Sequence, residues 1–548
     1  MSDRWYEQAV VYCLDIDTFA DSDGDGCGDI RGLIGRLDYL ARLGVTCLWL
    51  NPIHPSPQRD DGYDVTDFYN VDPRFGTLGD FAELLHQAGN RGIKVIIDLV
   101  VNHTSDQHPW FRSARSSPDS PYRDWYVWSA TAPPDRKQGM VFPGEQTDTW
   151  TYDRTAKLWY YHRFYRFQPD LDITHPDVRE EIKKICAFWL QLGVAGFRMD
   201  AVPFIIEQTE PGNPDPPRDL DFLTDLRRHV QWRRGDAVLL AEANVEPDQL
   251  KEYFGDGGGS ANRIHMLFDF MLNGRLMLAL ARRDPEPIID ALRDTPALPP
   301  GAQWATFLRN HDEVDLSRLT ADQRADVFAE FGPEETMQLY GRGIRRRLAP
   351  MLGGDRRRLE LAYALQFSLR GTPVLRYGEE IGMGDDLSLE GRDALRTPMQ
   401  WSPLDNGGFS TAPAGELIRP VVTDGAYGYR TVNVTAQRHD PTSLLSWFER
   451  MIRTLREAPE IGSGACTYVD LPAPPGVLVH RATDVTGTML LLHNLGDSDG
   501  TADLSALAGE AEYPNDVLAD RDYPPPDGLD AVALAGYGYR WIRLNRRP

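Results

Sequence analysis

The 548-residue chain is short of cysteine: Cys13, Cys27, Cys47, Cys186 and Cys466 are odd in number, scattered, and never two residues apart in a C-x-x-C pair. That argues against a disulfide framework and against a thiolate metal site. Cys13, Cys47 and Cys186 lie in apolar strand or helix contexts and read as buried free thiols, which implies a reducing, cytoplasmic location. Positive charge is also in deficit. Lys and Arg total 58 against 82 Asp and Glu, leaving a net charge of −24, so neither nucleic acid nor an anionic membrane is expected as a partner. No uncharged run reaches membrane-spanning length, and the N-terminus has no basic region followed by an apolar stretch. Small neutral ligands and self-association into a homo-oligomer stay open.

What the chain does have is apolar and aromatic substance: 41% hydrophobic residues, with 13 Trp, 22 Tyr and 21 Phe. Its length exceeds one simple domain and suits an α/β TIM (β/α)8 barrel with insertions and one appended domain. The first third alternates strands at 9–14, 47–50 and 94–99 with helices at 33–43 and 81–89, the βαβ pattern of a parallel sheet. From 104 to 170 the alternation breaks into a stretch dense in Trp, Tyr, Pro and Ser. A connection this long within a compact domain is usually functional, and it reads as an inserted domain after the third strand. Alternation resumes at 171 and continues to about 460, so 1–103 and 171–460 form the barrel. Residues 461–548 show short alternating runs separated by turns, which predicts a C-terminal antiparallel β-sandwich domain. Residues 313–350 are long for a barrel connection and leave a strand tip, a placement that suits a lid.

Four apolar runs end in charge: Val95-Ile96-Ile97 before Asp98, Val194–Phe197 before Arg198 and Asp200, Val238-Leu239-Leu240 before Glu242, and Thr306-Phe307-Leu308 before His311 and Asp312. Buried parallel strands read this way when their C-terminal tips carry chemistry. Arg198 and Asp200, two apart in a strand, share one face. Either they close a strand end structurally, or the guanidinium keeps a nucleophilic carboxylate ionised. The apolar lead to Glu242 would raise its pKa toward use as a proton donor. A carboxylate pair at one rim suits glycosidic bond chemistry.

These ordered blocks resemble the α-amylase superfamily of retaining glycoside hydrolases and transglycosylases over nearly the whole chain. The resemblance implies Asp200 as nucleophile, Glu242 as general acid/base and Asp312 as the carboxylate gripping the distorted sugar ring. It implies that His103, His311 and Arg198 hold the glucosyl unit or the nucleophile. Asp60 and Tyr63 resemble the pair closing the non-reducing end of the pocket, with Arg396 as the partner of Asp60. The stretches 59–64, 102–110, 122–128, 307–313, 343–350 and 392–401 resemble the branch that interconverts maltose and trehalose. The chain departs from that pattern at 266–270, at Asp172 and at Arg376. The competing expectations are an α-glucosidase or small-oligosaccharide amylase, and a non-catalytic sugar-binding scaffold, which the intact carboxylate set disfavours.

Residues 21–29, Asp-Ser-Asp-Gly-Asp-Gly-Cys-Gly-Asp, place carboxylates at alternate positions between glycines, as a loop wrapping a hard cation does. Gly32 stands where the closing glutamate of an EF-hand would be. The resemblance implies Ca²⁺, with Mg²⁺ as the alternative, held by Asp21, Asp23, Asp25, Asp29 and the Cys27 carbonyl. It also implies a second cation site at Asn102, Asp170 and Glu207. No organic cofactor is expected. The aromatics crowding 125–165 serve either sugar stacking or the core of the inserted domain.

Overall fold

The computed structural model describes residues 4–545 except 214–215, 256–258, 296, 463–464, 472, 511–512 and 525–528. Eight parallel strands close into a barrel: β1 (Val11–Leu14), β2 (Cys47–Leu50), β3 (Lys94–Leu99), β4 (Gly196–Met199), β5 (Val238–Ala241), β6 (Met266–Phe268), β7 (Gln303–Phe307) and β8 (Thr372–Arg376). Each strand pairs with its neighbours in chain order, and β8 returns to β1. Period-two alternation sorts the strand residues. Val11, Cys13, Cys47, Trp49, Ile96, Leu240, Met266, Phe268, Ala305 and Phe307 pack together inside the barrel. Tyr12, Leu48, Ile97, Leu239 and Leu267 face the surrounding helices in the larger core.

The helices follow local signals. Thr77 and Asp80 form a capping box at the start of helix Leu78–Asn90. Asp269 caps helix Phe270–Arg282 through the Leu272 N–H. Residues 33–43 do not form the single helix expected. Two helices, Ile30–Ile34 and Leu37–Leu43, meet at Gly35 and Arg36. Arg36 leaves the helical region at φ −108° and ψ 0°, and its guanidinium lies over the Trp401 ring at 4.1 Å. Gly196 opens β4 at φ +150°, so close to β5 that a Cβ would sit 2.1 Å from the Val238 carbonyl oxygen. Only glycine fits this approach, which sets the strand carrying Arg198.

Between β3 and β4 the chain builds a three-stranded antiparallel sheet from Trp128–Ser129, Leu158–Tyr161 and Trp150–Asp153. After β7 come a small sheet, with strands Val314–Asp315, Gly343–Ile344 and Gln338–Leu339, and helix Ala321–Phe331. The C-terminal part holds a five-stranded antiparallel sheet and a two-stranded sheet. Alternation again divides its residues. Leu478, Met489, Leu491, Tyr539 and Trp541 join the core shared with the barrel. Val477, Val479, Leu490, Leu492 and Ile542 form a separate core with Ala502, Val532 and Leu534 of the two-stranded sheet.

Candidate active site

One buried guanidinium organises the rim. Arg198, 1% exposed, projects from β4 and donates from Nη1 to Asp200 Oδ1 at 2.5 Å and from Nη2 to Glu242 Oε2 at 2.6 Å. Its Nη1 also lies 3.5 Å from Asp98 Oδ1 on β3. The two-residue spacing does bring Arg198 and Asp200 to one face. Three carboxylates around a single cation in a dry setting cannot all stay ionised easily. Burial pushes the Asp98 and Asp200 carboxyls up to about 6 and Glu242 up to about 7, with the Arg198 charge opposing the rise at each. At about 6 the Asp200 carboxyl lies above the ordinary carboxylate range, because loss of hydration outweighs the guanidinium, yet it is still mostly ionised at pH 7. Ala201, next to the Asp200 tip, sits in the left-handed region at φ +50°. Such strain in a non-glycine residue clusters at functional sites.

A second layer fixes the orientation. Asp98 accepts from Trp49 Nε1 at 2.8 Å and from the Tyr63 hydroxyl at 2.8 Å. The Tyr63 oxygen is 2.9 Å from His311 Nε2, and the two rings stack at 5.8 Å with an interplanar angle of 11°. His103 Nε2 lies 2.9 Å from the Tyr63 carbonyl oxygen. Burial lowers His103 to about 4 and His311 to about 3, so both rings are neutral at pH 7. Burial would raise Asp312, but Arg392, 3.1 Å away, and the other positive groups around it hold the carboxyl below its usual value.

A cavity of about 530 Å³ opens over this rim. Asp60, Tyr63, His103, Asp200, Glu242, His311 and Asp312 line it, with Phe142, Phe164, Phe204 and Phe270 as apolar walls. Arg198 and Arg396 stand behind the lining. Arg396 is not the partner of Asp60. It pairs with Asp61, donates from Nε to the His311 carbonyl at 2.9 Å and from Nη2 to Asp312 Oδ1 at 3.0 Å. Asp60 accepts from Gln168 Nε2 at 2.7 Å, and burial raises its carboxyl. Adjacent residues in a turn aim apart, and Asp61 at φ +45° points the way Asp60 was expected to point. Sequence reasoning missed Asp61, Arg392 and the barrel residue Trp49. It marked Asp98 as the charged tip of the apolar run of β3 but gave it no role.

In the acidic loop, Asp21, Asp23 and Asp29 bring one carboxylate oxygen each within 4.8 Å of one another. Asp25 is not part of this cluster, and its Oδ1 accepts the Cys27 N–H at 2.8 Å. Asp21 is held by the Gly24 and Gly26 N–H groups at 2.7 and 2.9 Å. Three hard oxygen donors on a glycine-shaped loop fit a Ca²⁺-sized cation. The second set does not fit one. Asn102 donates to Asp170 Oδ2 at 3.1 Å, while Glu207 pairs with the Arg163 guanidinium, so a cation from the chain already occupies that corner. Asp170, pushed up to about 7 by burial, also accepts the Arg163 backbone N–H at 2.9 Å.

A barrel of this topology with carboxylates at three strand tips defines a carbohydrate-processing enzyme, and the chain belongs to the α-amylase catalytic-domain family, whose model matches residues 15–332 and 335–464. It is 42% identical over 545 residues to the trehalose synthase/amylase TreS of Mycobacterium tuberculosis H37Rv, spanning 99% of this chain and 90% of that one. It is 41% identical over 553 residues to the trehalose synthase of Pimelobacter sp. strain R48, spanning 99% and 96%. Among solved structures it resembles the α-glucosyl transfer enzyme XgtA, with a TM-score of 0.78 and 26% identity over 99% of both chains. No helix among the described residues is long and apolar enough to cross a membrane.

Proposed function

We propose that this enzyme interconverts maltose and trehalose by retaining transfer of one α-glucosyl unit within a closed pocket, with hydrolysis as a side reaction. The observation carrying the reading is the Arg198 fork that holds Asp200 and Glu242 together. One planar group spanning both carboxylates suits the short separation of a retaining pair, about 5–5.5 Å, rather than the roughly 6.5–9.5 Å that admits a water between them. Asp200 attacks the anomeric carbon of the terminal glucosyl ring while protonated Glu242 gives its proton to the departing O4 of the second glucose. The glycosidic C–O bond breaks and a glucosyl ester forms on Asp200. The freed glucose turns within the pocket and presents its anomeric hydroxyl. Glu242 takes that proton as the hydroxyl oxygen displaces Asp200, and the new bond is the α,α-1,1 linkage. Asp312, held ionised by Arg392 and Arg396, grips the ring hydroxyls and supports positive charge at the anomeric carbon. Asp60 and Tyr63 close the far end of the ring.

The segment after Asp312 supports transfer over hydrolysis. Its Glu313, Asp315, Ser317 and Arg342 line the cavity, and Arg342 Nη2 donates to the Val141 carbonyl of the inserted segment at 3.0 Å. A covered mouth keeps the freed glucose in place and keeps water out. The Asp21, Asp23 and Asp29 cluster would hold Ca²⁺ in a structural role at the base of residues 21–29, and five free thiols suit a reducing compartment. The test is incubation with maltose followed by separation of trehalose from glucose. Trehalose as the main product carries the reading, and glucose alone at every time and temperature leaves an α-glucosidase instead.

A further inference from the structure

At the opposite end of the barrel from Glu242, a second cavity of about 260 Å³ lies between the N-terminal turn, helix Leu220–Arg233 and the loop leading into β6. Ala237, at the base of β5, borders it. Five residues of strand, about 16 Å, separate it from the catalytic rim.

Arg227 lines this cavity and is 6% exposed. Its Nη1 donates to the Ile264 carbonyl at 2.9 Å, and it makes no ion pair among the described residues. That is unusual, because a buried guanidinium normally has a carboxylate beside it. The other charges nearby are already answered. Arg4 Nη1 donates to Glu7 at 3.3 Å, and the Asp236 carboxylate is taken by Lys94 Nζ and Arg234 Nε, each at 2.9 Å. His265 accepts the Leu239 N–H through Nδ1 at 3.1 Å and meets the Gln231 side-chain amide through Nε2 at 3.2 Å, and burial drives its pKa far down, so it is neutral. Arg227, Arg4 and Ser260 thus offer donors to one recess, while the Gln231 amide is engaged with His265, and the unanswered charge among them is positive.

We propose that this recess binds a phosphoryl oxyanion, either free phosphate or the phosphoryl group of a small phosphorylated sugar, with the Arg227 fork as its main ligand. A guanidinium matches a tetrahedral oxyanion through two parallel N–H bonds. The ligand would complete the charge of helix Leu220–Arg233 against the base of β5 and β6, and its binding would stabilise the folded enzyme.

Thermal unfolding of the full chain in chloride buffer at constant ionic strength tests this. Inorganic phosphate at about 20 mM should raise Tm by about 2 °C or more and broaden the phosphate ³¹P resonance. Both effects should vanish in Arg227→Gln and in Ser260→Glu. Ser260 is exposed, so its substitution tests the site without disturbing the core, and unchanged turnover of maltose would verify an intact fold. A larger rise with glucose 6-phosphate than with phosphate assigns the site to a phosphorylated sugar, and an equal or smaller one assigns it to free phosphate. No rise and no broadening, or equal responses in Ser260→Glu and the parent, would overturn the proposal.

Discussion

Tyr340, in the segment that leaves the β7 tip, packs its ring against Phe142 of the inserted segment with centroids 5.1 Å apart. The Arg392 guanidinium lies over both rings, at 5.7 and 5.2 Å, and also pairs with Asp312. The mouth of the pocket is thereby joined to the carboxylate proposed to grip the sugar. Tyr340 holds this place at φ +55°, a conformation that needs its surroundings to maintain it. An aromatic contact contributes about 1 kcal/mol beyond area burial, enough to shift an open–closed equilibrium about fivefold. Tyr340→Ala and Phe142→Ala should each raise the ratio of glucose to disaccharide isomer several-fold, with total maltose consumption changed less. An unaltered ratio in folded variants would show that the contact does not govern water entry.

Asp200→Asn should reduce turnover by about four orders of magnitude or more, because no other carboxylate reaches the anomeric carbon in the proposed geometry. Glu242→Gln should cost roughly 10²–10⁴ in the glycosylation step. It should be partly restored by a substrate whose leaving group needs no proton, such as an α-glucosyl fluoride. Rescue of Asp200→Asn but not Glu242→Gln by that substrate would invert the two roles. Circular dichroism should match the parent for both variants.

The electrostatics of the rim predict a narrow pH profile. In the proposed mechanism Asp200 must be ionised to attack, and burial has raised it to about 6, so activity should fall as pH drops through that value. Glu242, as the proposed general acid, must be protonated to release the leaving sugar, and burial has raised it to about 7, so activity should fall again as pH rises through that value. The two groups share Arg198, so the limbs of kcat/KM report the pair rather than either residue alone. A flat profile from pH 5 to 9 would contradict this assignment.

How much was legible in the sequence depended on the reach of each interaction. The barrel strands announced themselves because parallel strands are apolar on both faces, and β1, β2 and β3 were read correctly to within two residues. Arg198 and Asp200 share a face by strand periodicity alone, so their pairing was readable. The break at Gly35 and Arg36 was not, because it answers to Trp401, more than 360 residues away. Nor was the choice between Asp60 and Asp61. Two adjacent carboxylates are equivalent in a sequence, and only the turn geometry decides which reaches Arg396 and Arg419. The failed second cation site has the same cause, since Arg163 enters from a segment whose path no periodicity marks. The raised pKa of Asp200 was hidden because burial of a strand tip depends on the elements folded over it.

The acidic loop predicts a calcium dependence that is structural rather than chemical. Asp21, Asp23 and Asp29 crowd three negative charges, and Asp29 also caps helix Ile30–Ile34 through the Gly32 N–H. Calcium at about 100 times its dissociation constant should add about 2.7 kcal/mol of stability, read as a higher Tm that EDTA reverses. Asp23→Asn should remove most of that gain while leaving kcat at saturating maltose near the parent value. An EDTA effect of equal size in Asp23→Asn would place the calcium elsewhere.

The last prediction separates the neighbouring aspartates at the closed end of the pocket. Arg396 is 4% exposed and answers to Asp61, Asp312 and the His311 carbonyl. Asp61 also pairs with Arg419, which is held in addition by Asp17 and Asp393. Asp61→Asn should therefore act on the scaffold. It leaves a buried guanidinium short of one partner, at a cost of about 1–3 kcal/mol, and should lower Tm with a modest rise in KM. Asp60 lines the cavity, and among the described residues its carboxylate accepts a hydrogen bond from the amide of Gln168 alone. Asp60→Asn should leave Tm near the parent value and raise KM for both maltose and trehalose, since both present the same terminal glucosyl ring to this wall. If Asp60→Asn proved the more destabilising of the two, Arg396 would have to be answered by Asp60 after all, and the closed end of the pocket would need a different arrangement from the one described.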